Sequence, residues 1–227
     1  LDYFNQMQVD GIPPNAVTFT CAMKACGNIA AVDKASEIHT EVERSGLLER
    51  DVSVGSTLVD MYVQCGLISK AQSVFDKLPV RDVVSWTALI AGHTEQGHGE
   101  EAIQCLEKME FEGFPLDAFI LVCSLKACGS IGATKKGQEI HAEIERRGLL
   151  ETDIIVGNSL VSMYIKCGSL FRAQSVFDHL AVRDIISWNT LLGGYTHLSE
   201  SGNVFDMFNR MVGEGIKPGP VTFLIVL

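Results

Sequence analysis

Two short motifs in the chain carry residue types that can hold a metal ion. His39-Thr-Glu41 and His141-Ala-Glu143 each place a histidine two residues before a glutamate, which is half of the pattern found in zinc-dependent deaminases. The other half, a Pro-Cys-x-x-Cys segment that supplies two more zinc ligands, does not occur in the sequence. Because both motifs fall at the same place in an internal repeat, they favour a packing or surface role over catalysis.

The seven cysteines do not complete a metal site either. Two pairs have C-x4-C spacing, Cys21 with Cys26 and Cys123 with Cys128, whereas zinc sites commonly use C-x2-C pairs. Disulfide frameworks belong to short, cysteine-dense secreted chains. The sequence therefore predicts free cysteines in small buried slots on helices, a reducing compartment, and no metal. It also lacks a phosphate-binding glycine loop and a nucleophile elbow, so we expect no cofactor and no enzymatic activity.

The composition points to buried apolar residues in an acidic protein. Of the 227 residues 47% are hydrophobic, yet every apolar run is interrupted before it reaches the length of a membrane span. The formal net charge is −10. An acidic balance argues against nucleic acid, since phosphate binders usually present basic surfaces, and it is compatible with a protein partner.

The chain starts at Leu1 with no recognisable targeting leader, and it stops within the apolar segment 221–227. We therefore expect it to be an internal part of a longer protein.

The dominant signal is an internal repeat with a period of 102 residues. Lys24-Ala-Cys-Gly27 recurs as Lys126-Ala-Cys-Gly129, and Ala71-Gln-Ser-Val-Phe-Asp76 recurs as Ala173-Gln-Ser-Val-Phe-Asp178, with no insertion or deletion. Each period divides into three related units, which usually end in aspartate. The units are 16–51, 52–82, 83–117, 118–153, 154–184 and 185–219, with partial units at 1–15 and 220–227.

Each unit has the pattern of two helices joined by a glycine turn. In unit 83–117 the apolar positions are Val84, Trp86, Leu89 and Ile90, then, after the turn at 97–99, Ala102, Ile103, Leu106, Met109 and Phe111. Spacings of three and four indicate helices with one buried face. Stacked helical pairs bury a continuous core, which predicts an all-α solenoid. The expected core residues include Phe75, Phe177, Trp86, Trp188, Met61 and Met163.

These units resemble pentatricopeptide repeats. The segment Val83-Val-Ser-Trp-Thr-Ala-Leu-Ile-Ala-Gly92, followed by Gly99-Glu-Glu-Ala-Ile103, carries the pattern, and the resemblance covers the whole chain. Unit lengths of 35, 36 and 31 residues resemble the P, L and S repeats of the PLS subclass. The resemblance implies a single right-handed superhelical α-solenoid over 1–227. Units 16–51 and 118–153 would be L repeats, 52–82 and 154–184 S repeats, and 83–117 and 185–219 P repeats.

The resemblance also implies a set of RNA-binding residues. In this family each P or S repeat addresses one base of single-stranded RNA, through the fifth residue of its first helix and its own last residue. The implied pairs are Ser56 with Asp82, Thr87 with Asp117, Asn158 with Asp184, and Asn189 with Gly219. The second residue of the first helix packs against the base, which implies Ser53, Val84, Ile155 and Ile186, although Ser53 is not aliphatic.

The pairs imply a partial base preference. Serine or threonine with aspartate resembles the guanine-preferring combination, and asparagine with aspartate resembles the uracil-preferring one. Asn189 with Gly219 departs from the pattern, so its base stays open. The L repeats present Thr20 with Asp51 and Val122 with Asp153, and Val122 has no hydrogen-bonding group. Without the resemblance, Asp82 and Asp184 are ordinary helix N-caps that follow an arginine.

Two kinds of function fit the sequence. The resemblance implies a single-stranded RNA-binding module of a mitochondrial or plastid RNA-processing factor, most often one for C-to-U editing, with the chemistry in a separate domain. Such a module would work with other RNA-processing proteins and would need no membrane or small-molecule substrate. The alternative is a protein–protein interaction scaffold, which the acidic charge and the surface of a solenoid both allow. The polar fifth residue paired with a terminal aspartate favours RNA.

Overall fold

The computed structural model describes residues 1–198 and 203–227, which contain helices and turns and no strand. Residues 199–202, inside the predicted unit 185–219, lie outside the described residues. The chain divides into two compact units, Leu1–Pro115 and Leu116–Leu227, called unit 1 and unit 2 below.

Unit 1 consists of helical pairs and one short 3-10 turn. The turn covers Leu47–Glu49. The helices are α1 (Asp2–Val9), α2 (Ala16–Asn28), α3 (Val32–Ser45), α4 (Val52–Gln64), α5 (Ile68–Lys77), α6 (Val83–Glu95) and α7 (Gly99–Phe111).

Unit 2 repeats this order of long and short helices. Its helices in the described residues are α8 (Ala118–Ile131), α9 (Thr134–Arg146), α10 (Leu149–Thr152), α11 (Ile154–Lys166), α12 (Leu170–His179), α13 (Ile185–His197), α14 (Val204–Gly213) and α15 (Pro220–Val226).

Side-chain caps determine where the first helix of each pair begins. Asp51, Asp82, Asp117, Asp153 and Asp184 are the N-caps of α4, α6, α8, α11 and α13, and each accepts a hydrogen bond from a backbone N–H of the first turn. Aspartate is favoured there because its carboxylate satisfies an N–H that has no partner within the helix. The N-cap role expected for Asp82 and Asp184 from the residues alone is confirmed, and Asp51, Asp117 and Asp153 have it too. The helices they cap begin at the first residues of the predicted sequence units.

Glycines end the first helices of the shorter pairs. Gly66 follows α4 with φ 74°, and the N–H of Leu67 donates to the carbonyl of Tyr62 at 2.8 Å. Gly168 follows α11 with the same φ, and Ser169 N–H donates to Tyr164 O at 2.9 Å. A residue with a side chain is strained at this φ, so glycine is the natural stop before the chain turns into the second helix.

Consecutive pairs are held together by their first helices. In unit 1, α2 packs on α4 and α4 packs on α6, while each also contacts its own second helix. In unit 2, α8 packs on α11, α11 on α13, and α13 on α15. This arrangement confirms the predicted α-solenoid of helical repeats.

The predicted core residues are buried. Trp86, Trp188, Phe75, Phe177, Met61 and Met163 are all at most 2% exposed. Two residues of the predicted apolar stripes are not in the core. Val84 is 58% exposed and Phe111 is 93% exposed. Val84 lies in the first turn of α6, and Phe111 is the last residue of α7.

The cysteines are all free, as expected. Four of them are buried, but Cys21 is exposed and Cys65 and Cys167 are half-buried, so the prediction of buried slots was wrong for these three. Among residues 1–198 and 203–227, no group of three or more His, Cys, Asp or Glu side chains is placed to hold a metal ion. Of the helices in the same residues, none has both the length and the apolar character needed to cross a membrane.

Candidate nucleic-acid interface

In unit 1, Asp82 joins one helical pair to the next. Its Oδ1 accepts the backbone N–H of Ser85 at 2.8 Å, which caps α6, and it also accepts the hydroxyl of Ser56 at 2.7 Å. Ser56 lies on α4 in the preceding pair and is only 3% exposed. One carboxylate therefore begins a helix and orients the predicted base-selecting residue of the previous repeat.

In unit 2, Asp184 plays the same part for Asn158. It caps α13 by accepting the N–H of Ser187 at 2.8 Å and the hydroxyl of Ser187 at 2.9 Å. Burial raises the pKa of Asp184, but the hydrogen bonds from Ser187 and from the Asn158 side chain outweigh burial, so its pKa lies below the usual value. The carboxylate therefore stays ionised and accepts from its neighbours.

This arrangement fixes the orientation of the Asn158 amide. A carboxylate can only accept, so Asn158 must direct its Nδ2 group to Asp184. Its Oδ1 is buried and has no hydrogen-bond partner among the described residues. Buried polar atoms without a partner are uncommon in folded proteins, so this oxygen is an acceptor whose hydrogen bond is not made within the described residues.

The pair of Thr87 and Asp117 is divided between the two compact units. Within unit 1, the Thr87 hydroxyl donates to the carbonyl of Val83 at 2.6 Å. Within unit 2, Asp117 caps α8 by accepting the N–H of Ile120 at 2.8 Å. Their pairing remains a prediction.

At the last predicted pair, Asn189 has a partner that the sequence did not indicate. Gly219 has no side chain, but the hydroxyl of Thr222 in the first turn of α15 donates to Asn189 Oδ1 at 2.7 Å. Thr222 is fully buried, and its oxygen accepts the N–H of Gly219 at 3.1 Å. Threonine at this place follows from the capping pattern, since Ser85 and Ser187 occupy the same helix position.

The two predicted L repeats lack this link between pairs. Thr20 donates to the carbonyl of Ala16 at 2.8 Å, and Asp51 accepts from the backbone and hydroxyl of Ser53. Val122 is nearly buried, and the Asp153 carboxylate caps α11 alone. In these repeats the terminal aspartate serves only its own helix.

The predicted base-packing residues lie in the first turns of their helices and are exposed. Val84, Ile155 and Ile186 are 58%, 64% and 59% exposed, and Ser53 is exposed as well. The second residue is also apolar and more than half exposed in the first helices of the other pairs, α2, α8 and α15, where it is Val17, Phe119 and Val221. The sequence analysis missed these three, although the register of the units could have indicated them. Exposed apolar side chains recurring at one repeat position are typical of a contact surface.

The helices that carry these residues have little net charge within their own bounds. Helices α2, α4, α6, α8, α11 and α13 together have a formal charge of +1. Their charged residues are Lys24, Lys126 and Lys166, which are positive, and Asp60 and Glu95, which are negative. The five aspartates that cap five of these helices bring the sum to −4, so the remaining −6 of the net charge of −10 lies in the second helices and the other segments.

The histidine–glutamate motifs have structural partners. His39 Nδ1 is 2.8 Å from the hydroxyl of Tyr62, and His141 Nδ1 is 2.9 Å from that of Tyr164. Glu41 accepts hydrogen bonds from Gln8, which agrees with the packing role expected for these motifs.

Comparison with known proteins identifies the family. The model of the PPR repeat family matches residues 81–120 and 183–227, and that of the PPR repeat matches residues 56–83 and 158–185, together more than half of the chain. The chain therefore belongs to the pentatricopeptide repeat family.

Similar sequences come from Arabidopsis thaliana. The pentatricopeptide repeat-containing protein At4g18520, chloroplastic, is 36% identical over 92% of this chain and 34% of its own length. The protein At1g15510, chloroplastic, is 33% identical over 99% of this chain and 26% of its own length. The chain thus spans about a third or less of the length of these two curated relatives.

Solved structures share the fold. The pentatricopeptide repeat protein PPR10, in complex with an 18-nt psaJ RNA element, matches 98% of this chain and 34% of its own, with a TM-score of 0.85 and 20% identity. PPR10 from maize matches 98% of this chain and 32% of its own, with a TM-score of 0.80 and 17% identity.

Proposed function

We propose that this chain binds single-stranded RNA and selects one base with each P or S repeat. The observation that carries the proposal is the 2.7 Å hydrogen bond from Ser56 to Asp82, the capping carboxylate of the next helix. At the matching place in unit 2, the Asn158 side chain helps to lower the pKa of the capping Asp184. The exposed apolar Ile155 lies one helical turn before Asn158, whereas the residue at that place before Ser56 is the polar Ser53. A protein scaffold has no need for that combination, whereas a stacked and hydrogen-bonded base uses both parts.

The hydrogen bonds give a physical reason for different bases at the two sites. The Ser56 hydroxyl lies 2.7 Å from Asp82 Oδ1 and 2.9 Å from the carbonyl of Val52, so its single proton is engaged and its oxygen is left to accept from the N1–H and amino group of guanine. Asn158 presents Oδ1, which can accept from N3–H of uracil. The longer asparagine leaves room for a pyrimidine, and the shorter serine leaves room for a purine.

The two sites are not equally suited to binding. Ser56 is almost fully buried and is preceded by the polar Ser53, while Asn158 is half-buried and preceded by the exposed Ile155. We therefore expect unit 154–184 to contribute more affinity than unit 52–82.

The setting of this activity is part of the same proposal. PPR10, which shares the fold, was solved with RNA, and two of the relatives are named as chloroplastic. Unit lengths that resemble the PLS subclass support a role in choosing sites for C-to-U editing in a plastid or mitochondrion. The chemistry would belong to another domain.

The test exchanges the two base-selecting residues. Binding is measured against single-stranded RNAs that vary at one base, at two salt concentrations. Asn158→Ser should move the preference at one RNA position from uracil to guanine by about tenfold, and Ser56→Asn should do the reverse at another position. Ser159→Asn is the matched control, because adjacent helix residues do not share a face.

Binding that weakens with salt, together with the two reciprocal shifts, supports the proposal. RNA binding whose base preference ignores both exchanges would contradict base selection by these residues. If no RNA is retained even at low salt, the RNA proposal is wrong and the protein scaffold takes its place.

A further inference from the structure

Asn158 and Asn189 are the same residue type at the same repeat position, yet they have different partners. Asn158 faces the carboxylate of Asp184, which can only accept hydrogen bonds. Asn189 faces the hydroxyl of Thr222 at 2.7 Å, because Gly219 stands where the carboxylate would be. Both asparagines and their partners lie within unit 2.

The partner decides which end of each amide is left for a ligand. The Thr222 oxygen already accepts the N–H of Gly219, and its buried proton needs an acceptor, which Asn189 Oδ1 supplies. The oxygen of Asn189 is therefore engaged and its Nδ2 group is left to donate. At Asn158 the Nδ2 group is engaged and Oδ1 is left to accept.

We infer that Thr222 is a specificity-determining residue that reverses the base preference of Asn189, so that this repeat selects cytosine or adenine rather than uracil. The inference rests on the proposed function. Cytosine N3 and adenine N1 are unprotonated acceptors on the Watson–Crick edge, while uracil N3 and guanine N1 carry protons. A donating amide therefore fits the first two bases and opposes the others.

The site is otherwise built like its neighbour, so the difference comes from the capping residues. The N-cap backbone has φ −106° and ψ 179° at Gly219, against φ −107° and ψ −178° at Asp184. An aspartate is therefore accommodated at 219 without backbone strain. A Cβ there would lie 3.0 Å from the end of the Ile185 side chain, which is flexible enough to move.

This similarity provides a sharp test. In Gly219→Asp, the introduced carboxylate should take the Thr222 proton, as Asp184 takes the hydroxyl proton of Ser187. Asn189 would then turn its Nδ2 group to the carboxylate and present Oδ1. We expect the original chain to prefer cytosine over uracil about tenfold at the RNA position facing this repeat, and Gly219→Asp to reverse that preference.

The position facing Asn158 is the internal control and should keep its uracil preference in both proteins. Thr222→Val, which keeps the shape and removes the hydroxyl, should reduce the discrimination between cytosine and uracil to less than about threefold. Thr222→Val is measured in parallel with Gly219→Asp because it removes the hydroxyl donor without adding a charge.

The outcomes separate this inference from the proposed function. In the original chain, the RNA position facing Asn158 and the one facing Asn189 could both prefer uracil. That result would overturn the role of Thr222 and leave the proposed function intact. A cytosine preference that persists in Gly219→Asp overturns the role of Thr222 as well. Loss of base preference at both positions shows that the proposed function is wrong and removes the inference with it.

Discussion

Unit 1 and unit 2 are built on the same core and differ where a base would be selected. Tyr62, Phe75 and Trp86 are identical to the residues 102 positions later, and all six are buried. The positions proposed to select and pack against a base change between the units, from Ser56 to Asn158, Thr87 to Asn189, Ser53 to Ile155 and Val84 to Ile186. The two units therefore keep the aromatic residues of their cores and differ at the proposed binding positions.

A second difference concerns the glutamates at the C-terminal ends of α7 and α14. In unit 1, Glu112 accepts from Arg81 and from the indole N–H of Trp86, both at 3.3 Å. In unit 2, Glu214 instead accepts from Arg183 and Arg210 at 3.1 Å. The Trp188 indole N–H is left without a partner among the described residues.

Replacing either tryptophan by alanine should have the largest effect on stability. Trp86 and Trp188 are at most 1% exposed and make edge-on contacts with Phe75 and Phe177, with ring centroids 4.5 and 4.7 Å apart. Each substitution should cost about 3 to 5 kcal/mol of unfolding free energy, with similar values for the two. Urea denaturation followed by far-UV circular dichroism measures this. Costs that differ by more than about 2 kcal/mol would show that the two cores are not equivalent.

Replacing the same tryptophans by phenylalanine should reveal a difference in stability between the two units. Trp86→Phe removes a hydrogen bond to Glu112, whereas Trp188→Phe removes a donor that is already unpaired. We expect Trp86→Phe to cost about 1 kcal/mol more than Trp188→Phe in the same denaturation experiment. An equal cost, or a greater cost in unit 2, would contradict the assignment of the hydrogen bond to Trp86 alone.

The half-buried histidines His39 and His141 should give the smallest effect on stability, and an equal one in the two units. Burial lowers the pKa of His39 and of His141, with nearby Glu43 and Glu145 raising it in part. A lowered folded-state pKa means that the unfolded chain binds protons more readily below about pH 6.5, so stability falls as the pH drops through that value. Unfolding free energies measured between pH 7.5 and 5 should therefore decrease.

Single His39→Gln and His141→Gln variants test the cause, since glutamine can bond to the tyrosine hydroxyl but does not titrate in this range. Each should make the pH dependence less steep, and by a similar amount. A slope unchanged in both variants would assign it to other groups.

The helix starts, the core and the capping aspartates could all be predicted from the sequence. Asp82 and Asp184 precede helices that begin one residue later, and the buried tryptophans follow at helical spacing. These features depend on local chemistry: a cap satisfies N–H groups within three residues, and a repeating apolar pattern leaves one way to bury a face. The repeat period then assigns the same structure to each unit.

The contacts between repeats were decided by tertiary structure. Ser56 reaches Asp82 across 26 residues and Thr222 reaches Asn189 across 33. Neither contact is visible in a local pattern, because such partners meet only when consecutive helical pairs stack. The exposure of Val84 has the same origin, since helical spacing alone assigned it to the buried face. The sequence by itself determined which residues begin, fill and end each helix, and stacking determined which polar atoms remain available to a ligand.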